Sequence, residues 1–340
     1  MKKMNFSVLL LAIVFVLSSC ATSGGYQSSN FFVMDTLAEV RVYGANKNAG
    51  NVMIEAKKVA EDLEAKISAT KERSDTYAFN HVQAKDFSAE FIELTKLSIG
   101  FSELTDGCFD ATAGTLIHLW KGCEEEGRLP TEQEKATALN ALGYQKIQVS
   151  ENSVTKQDVA LMMDFGAIGK GYAADKMAET LKQNGVSCGM VSFVSSVTVF
   201  GERDFKIGIR QPDTSGELCG YVTLRNQSLS VSGDYERFYE IDGQRYPHIL
   251  DPKTGAPVSS ELHSVAVIAE SGAAADALST AIFVMGVQKA AELYQKNELD
   301  FELLCIEGDR IVVSGGFACH IEATSDTYSI VSLSDYISEN

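Results

Sequence analysis

The chain lacks several features that would decide its class at once. It has seven cysteines but no CxxC pair and no zinc-type spacing, which excludes a metal–thiolate module. Basic residues are scarce: 29 Lys and Arg stand against 46 Asp and Glu, a net charge of −17. A surface of that sign repels nucleic acid, so a DNA or RNA role is excluded and none is expected among the partners. No internal repeat occurs, and there is neither a Walker loop nor a GxGxxG turn. Prolines and histidines number only five each, so the places where they fall carry information. What is present is ordinary globular material: 340 residues, 45% hydrophobic and 22% charged. That is enough apolar side chain for one large core or two moderate ones.

The N-terminus reads as a targeting segment. Lys2 and Lys3 precede an apolar run from Phe6 to Leu17, which has the length of a signal-peptide core and is too short to span a bilayer as a helix. It ends in Leu17-Ser18-Ser19-Cys20, which looks like a bacterial lipobox; a plain secretory signal is the alternative. The expectation is a signal peptide over residues 1–19, a lipid anchor on Cys20, and a polar tether over 20–30. The protein would then be exported and held at a bacterial membrane, on the periplasmic side in a Gram-negative cell. Removing residues 1–19 leaves 27 basic against 46 acidic residues, a net charge of −19. An anionic ligand would be repelled unless a metal or local dipoles held it. The remaining cysteines, 108, 123, 188, 219, 305 and 319, lie scattered in apolar context, as buried small residues do.

Hydrophobic periodicity predicts a strand over 31–43 and helices over 50–68, 88–104 (Ser88 as N-cap), about 111–120 and 131–141. Short strands over 146–150 and 153–163 lead to a glycine-rich junction, DFGAIGKGYAAD (164–175), and a helix ending near Asn184-Gly185. Strands follow over 189–201, 204–210, 219–225 and 228–232, with SGDYER and IDGQRY marking a hairpin. A strand over 263–269, helices over 272–285 and 287–297, and strands near 301–315 and 317–331 close the chain. The pattern is an α+β domain with mixed sheets, strand-rich in its second half.

Four clusters can carry chemistry. In Asp164-Phe165-Gly166-Ala167-Ile168-Gly169-Lys170-Gly171 a strand-to-helix junction offers bare N–H groups, room for a ligand, and a cation. A glycine-rich turn has the same spelling. Asp276 and Thr280 are four residues apart on a predicted helix, so both oxygens leave one face. They suit magnesium, or they are an exposed carboxylate and a threonine bonded back to its own helix. In YPHILDPKTGAPV (246–258), His248 stands at the mouth of a turn, as a general base or as a hydrogen-bonding residue at a strand end. Finally, SGDYER (232–237) on its own indicates a hairpin.

Taken in order, VMDT (33–36), FDATAGTLIHLW (109–120), DFGAIGKGYAAD, SGDYERFYEIDGQRYPHILDPKTGAPV (232–258) and ADALSTAIFVMG (275–286) resemble the ApbE family, the FAD:protein FMN transferases. The resemblance runs from about Phe32 to the C-terminal strands and implies one large ApbE-like domain over 31–335, with T-fold-type mixed sheets and packed helices. It also implies roles. Met34, Phe109, Asp110, Asp164 and Lys170 would contact FAD, and Ile249 the flavin. Mg²⁺ would be held by the Ala167 carbonyl and Asp276, with Thr280 and Ser279 completing the site, and His248 would be the base. The implied reaction is attack by a threonine hydroxyl of a partner redox subunit on the FMN-side phosphorus of FAD, releasing AMP and leaving FMN in phosphoester linkage. Attack by water would make the same site an FAD pyrophosphatase giving FMN and AMP. A flavin-binding lipoprotein without catalysis is the reading from another class.

Two places depart from the family pattern. Val194, Ser195 and Ser196 stand where glycines and asparagine are common, which bears on nucleotide affinity. Thr70 stands where many relatives carry an aromatic over the flavin ring, which bears on access for water.

Overall fold

Alternation of apolar and polar residues begins earlier than expected, at Tyr26, and is interrupted once. The computed structural model describes residues 25–44, 46–81, 86–212, 217–235, 237–296, 299–318, 321–323 and 328–337. The expected signal peptide and lipidated Cys20 lie outside the described residues. The chain opens with β1 (Tyr26–Val33) and β2 (Thr36–Tyr43), followed by α1 (Ala49–Ile67), α2 (Asp75–His81) and α3 (Ala89–Leu104). Next come α4 (Gly114–Glu126), α5 (Glu132–Ala141), β3 (Ile147–Val149), β4 (Val154–Lys156) and α6 (Gly169–Gln183). β5 (Gly189–Phe193), β6 (Ser196–Phe200), β7 (Phe205–Arg210), β8 (Leu218–Leu224) and β9 (Ser228–Gly233) form the middle. The hairpin β10 (Phe238–Ile241) and β11 (Gln244–Pro247) precedes β12 (Leu262–Ala269) and α7 (Gly272–Lys296). The end comprises β13 (Phe301–Glu307), β14 (Arg310–Val313), α8 (Gly315–Ala318), β15 (Ile321–Ala323) and β16 (Ser329–Ser332).

Nine strands make one sheet in the order β1-β2-β5-β6-β9-β12-β13-β14-β16, antiparallel at every junction but the last. Inward side chains of β1, β2 and β5 pack on α1, α3 and α6, while those of β12 and β13 pack on α7. The opposite face, from β6 to β14, is covered by the smaller sheet β15-β8-β7. Both faces are therefore buried over the middle of the sheet, and the fold is a single α+β domain as the sequence predicts.

Several expectations need correction. The strand 31–43 is a hairpin, because Met34 and Asp35 both take positive φ (55° and 56°) and turn the chain in two residues. Residues 26–30, expected in the tether, belong to β1. The strand 189–201 likewise folds back at Val194, whose φ is 42°. Neither turn carries the glycine or asparagine that usually announces one. Only Val154–Lys156 of the stretch 153–163 is strand, and 317–331 holds α8 and two short strands. The short helix near 111–120 is α4, which starts later and runs on to Glu126. α2 was not expected at all. Ser88 does cap α3, accepting the Phe91 amide, and Gly286 (φ 79°) breaks α7 between the two predicted helices. Cys108, Cys123, Cys188, Cys219 and Cys305 are free thiols, all but Cys188 buried, and Cys319 lies outside the described residues.

The N-termini of α6 and α7 meet at the sheet. Asp175 on α6 accepts from the Ser271 hydroxyl (2.9 Å), the Gly272 amide (2.7 Å) and the Ala273 amide (3.0 Å), capping α7 from outside its own chain segment. Asp175→Ala leaves those amides without partners, and we expect a stability loss of roughly 2 kcal/mol. Chemical denaturation measures it; an unchanged midpoint would remove Asp175 as the cap.

Candidate active site

The YPHILDPKTGAPV stretch is a turn locked on every side. The Gly255 amide donates to the Asp251 carbonyl and the Asp251 amide to the Ala256 carbonyl, both at 2.8 Å. The Asp251 carboxylate accepts from the Lys253 amide (2.8 Å) and the Thr254 hydroxyl (3.1 Å). Trp120 of α4 donates its indole N–H to the Gly255 carbonyl (2.9 Å), tying the turn to the core of α4, α5 and β10. Gly255 needs its freedom there, at φ 69°. The turn fixes His248 at its mouth, where Nδ1 lies 2.9 Å from the Arg237 carbonyl. A carbonyl only accepts, so Nδ1 carries the proton and Nε2 keeps its lone pair. Burial, with Arg237 and Lys170 nearby, pushes the imidazole down to about 4, against the pull of the Arg237 carbonyl. The half-buried ring is therefore neutral at physiological pH.

His248 faces a cavity of about 750 Å³, within the range of nucleotide-sized pockets. Ile249, Phe109, Asp110, Asp164 and Ala167 also line it, as do Lys170, Asp276 and Thr280. A side cavity of about 200 Å³ holds Met34 and Thr70 and shares Asp164, Gly166, Lys170 and Arg237 with the larger one. Residues from distant parts of the sequence thus meet around one two-lobed space. Thr70 is exposed at the rim, with its hydroxyl 3.2 Å from that of Ser68.

Asp276 is the most deeply buried carboxylate of the group, 3% exposed against 8% for Asp110. Its Oδ2 accepts the Gly171 amide (3.0 Å), and its Oδ1 accepts the hydroxyls of Ser196 (3.2 Å) and Ser230 (2.9 Å). Lys170 Nζ stands 3.7 Å from Oδ1 and donates to the Gly166 carbonyl (3.2 Å). Thr280 lies 3.2 Å from the Ser232 hydroxyl. Ser279, expected to complete an ion site, is fully buried behind that wall: it donates to the Asp276 carbonyl and contacts Ser232, both at 2.9 Å. Ser232 lines the cavity instead. It opens the SGDYER motif, whose spelling signals only a hairpin, so sequence reasoning missed it.

The other carboxylates are differently placed. Asp164 accepts the Gly166 amide at 2.7 Å, and burial pushes its carboxyl up against that bond and Lys170. Asp110 accepts from the amide (2.8 Å) and hydroxyl (2.7 Å) of Thr112 and from the Tyr144 amide (3.1 Å). Burial raises its carboxyl too. Three of its four lone-pair sites are filled, so it has one to offer the cavity. Among the described residues, no three His, Cys, Asp or Glu side chains group as a metal cluster. A cation here would therefore draw on hydroxyls and carbonyls as well as carboxylate oxygen.

Comparison with known proteins supplies the family and the fold. Residues 34–304 match the ApbE family. The FAD:protein FMN transferase of Haemophilus influenzae is 30% identical over 325 residues, covering 89% of this chain and 93% of that protein. The protein of the same name from Escherichia coli K12 is 30% identical over 298 residues, 81% of this chain and 85% of its own. The crystal structure of the ApbE protein of Thermotoga maritima shares 31% identity and superposes with a TM-score of 0.76 over 89% of this chain and 97% of that one. Flavin transferase ApbE of Vibrio cholerae, 23% identical, has the same fold, with a TM-score of 0.76 over 87% and 99% of the two chains. This chain is a member of the ApbE family and a transferase.

Proposed function

We propose that the protein is an FAD:protein FMN transferase that moves FMN from FAD to a threonine hydroxyl of a partner redox subunit, releasing AMP. The observation that carries the reading is His248: a neutral imidazole, its Nδ1–H fixed by a carbonyl, with an unprotonated Nε2 at a cavity whose walls also hold Lys170, Asp276 and Thr280. Met34 and Thr70 in the side lobe would meet the flavin ring, with Ile249 against it. Phe109 and Asp110 would lie toward the rest of the nucleotide, and Asp164 and Lys170 at the pyrophosphate between them.

A chain of net charge −17 needs a local means of holding a pyrophosphate. Asp276 Oδ2 keeps one lone pair after the Gly171 amide has taken the other. With the Thr280 and Ser232 hydroxyls and the Ala167 carbonyl, this is an all-oxygen donor set of the kind Mg²⁺ takes alongside substrate phosphates. When bound, the ion would neutralise the pyrophosphate and polarise the phosphorus. The chain's own part is to orient and to move a proton. The threonine oxygen bonds to the FMN-side phosphorus, the bond to the AMP oxygen breaks, and His248 Nε2 accepts the hydroxyl proton. Export, the Cys20 anchor and a membrane-associated acceptor belong to this proposal, because a tethered enzyme would work beside such a subunit.

Exposed Thr70 leaves the side lobe open to water, which favours a second reading as an FAD pyrophosphatase. One experiment separates the readings: FAD and Mg²⁺ with the full chain, with and without a threonine-bearing acceptor peptide, following AMP and flavin-labelled peptide. Labelled peptide with matching AMP, both lost in excess EDTA, is expected. AMP without label would make it a hydrolase, unaltered bound FAD would leave a binding protein, and activity in EDTA would remove magnesium.

A further inference from the structure

Ser196 and Ser230 are Cα partners in the β6–β9 ladder, so their side chains leave the same face of the sheet. That face meets α7, and both serines are buried, at 1% exposure each. Their hydroxyl oxygens are 2.9 Å apart, and both reach Asp276 Oδ1. With the Gly171 amide on Oδ2, the carboxylate is gripped at both oxygens and cannot turn about its own axis without breaking a bond. Two residues on, Ser232 leaves β9 on the same face as Ser230 and meets Thr280, one helical turn beyond Asp276. The sheet register thus presents a row of hydroxyls to the α7 face that bears the candidate ion ligands.

We infer that Ser196 and Ser230 are positioning residues that set how Asp276 meets a divalent cation. The inference rests on the reading of Asp276 as an ion ligand. Their hydroxyls hold Oδ1 so that the one uncommitted lone pair of Oδ2 is the pair on offer. They also shield Oδ1 from Lys170, which waits 3.7 Å away. Ser230 has a second acceptor in the Ser195 carbonyl (3.4 Å), and Ser196 can donate to Ser230. If a cation draws on Oδ1, the two protons can rotate to those partners, and no buried hydroxyl is stranded. Without the hydroxyls, Lys170 would close on the bare oxygen as a tight ion pair and compete with the cation. Outer partners of this kind typically govern about 10–100-fold in metal affinity.

The test uses Mn²⁺ alone, titrated into the full chain and read by the EPR signal of the free ion, for wild type, S196A, S230A and S196A/S230A. The double variant is expected to raise the Mn²⁺ Kd about 10–100-fold, with each single variant in between. Thermal midpoints in EDTA should stay close to wild type, which a merely structural role would not allow. A double variant that binds Mn²⁺ like wild type overturns the inference, and should it not fold, wild-type affinity in both single variants does the same. A wild-type chain that leaves the Mn²⁺ signal untouched would instead remove Asp276 as a ligand, and the inference with it.

Discussion

Replacing His248 by alanine is expected to lower flavin transfer about 10²–10⁴-fold, the range general bases contribute, while FAD binding stays within a few-fold of wild type. Binding should survive because Lys170 and Asp276 line the cavity from other elements. His248→Asn is the sharper variant. Its amide can still donate to the Arg237 carbonyl, yet it has no basic nitrogen, so it should be as slow as alanine. An asparagine variant with wild-type rates would make His248 a hydrogen-bonding residue only. The pH profile gives a second readout. The ring's pKa is pushed down to about 4, so the free protein keeps a neutral Nε2 above that pH and loses its base as pH falls through it. The acid limb of kcat/KM should therefore lie well below the ordinary 6.5 of histidine. Arg237 and Lys170, two of the causes of the shift, are cations that a bound pyrophosphate would engage. The acid limb of kcat, which reports the complex, should lie at higher pH than that of kcat/KM. Coincident limbs, or a limb that persists unchanged in His248→Asn, would assign the titration to another group.

The same imidazole shows what a sequence can and cannot disclose. The turn around it was legible, since Asp251, Pro252 and Gly255 spell their conformations locally. The partners that give it a tautomer and a low pKa were not, because Arg237 and Lys170 come from elsewhere in the chain, as does the Trp120 that ties down the turn. The break in α7 was equally plain, because glycine at 286 interrupts an apolar helical pattern. The hairpins at Met34-Asp35 and Val194 escaped, because pairing of the strands on either side closes those turns through residues that rarely take positive φ. Both misread turns lie at the site: Met34 and Asp35 border the side lobe and Val194 the main one. Ser196 has a second context as well. Read along the strand, it bears on nucleotide affinity; read across the sheet, it bonds Asp276. Cross-strand register is a long-range fact, invisible to local spelling.

Gly171→Ala is expected to be a severely damaging change despite adding a single methyl group. An added Cβ would lie 2.0 Å from the Gly272 carbonyl oxygen, 2.4 Å from its carbon and 2.9 Å from the Ala273 nitrogen. All three are backbone atoms, so no side chain can swing aside, and α6 must back away from α7. Gly272 is as tight in the other direction, where a Cβ would meet the Gly171 carbonyl oxygen at 2.5 Å. The movement strains the Asp175 cap and stretches the bond from the Gly171 amide to Asp276. Overpacking of this kind costs roughly 3 kcal/mol, and a displacement of about 1 Å at a reacting centre can cost on the order of 10²-fold in rate. Both losses should appear together, as a lower denaturation midpoint and slower transfer. Gly100→Ala in α3 is the matched control: nothing lies within 4 Å of its Cβ, and alanine in a helix interior should stabilise by about 0.5–1 kcal/mol. If Gly171→Ala instead behaves like Gly100→Ala, the two helices have slack at their crossing, and the close approach does not position Asp276.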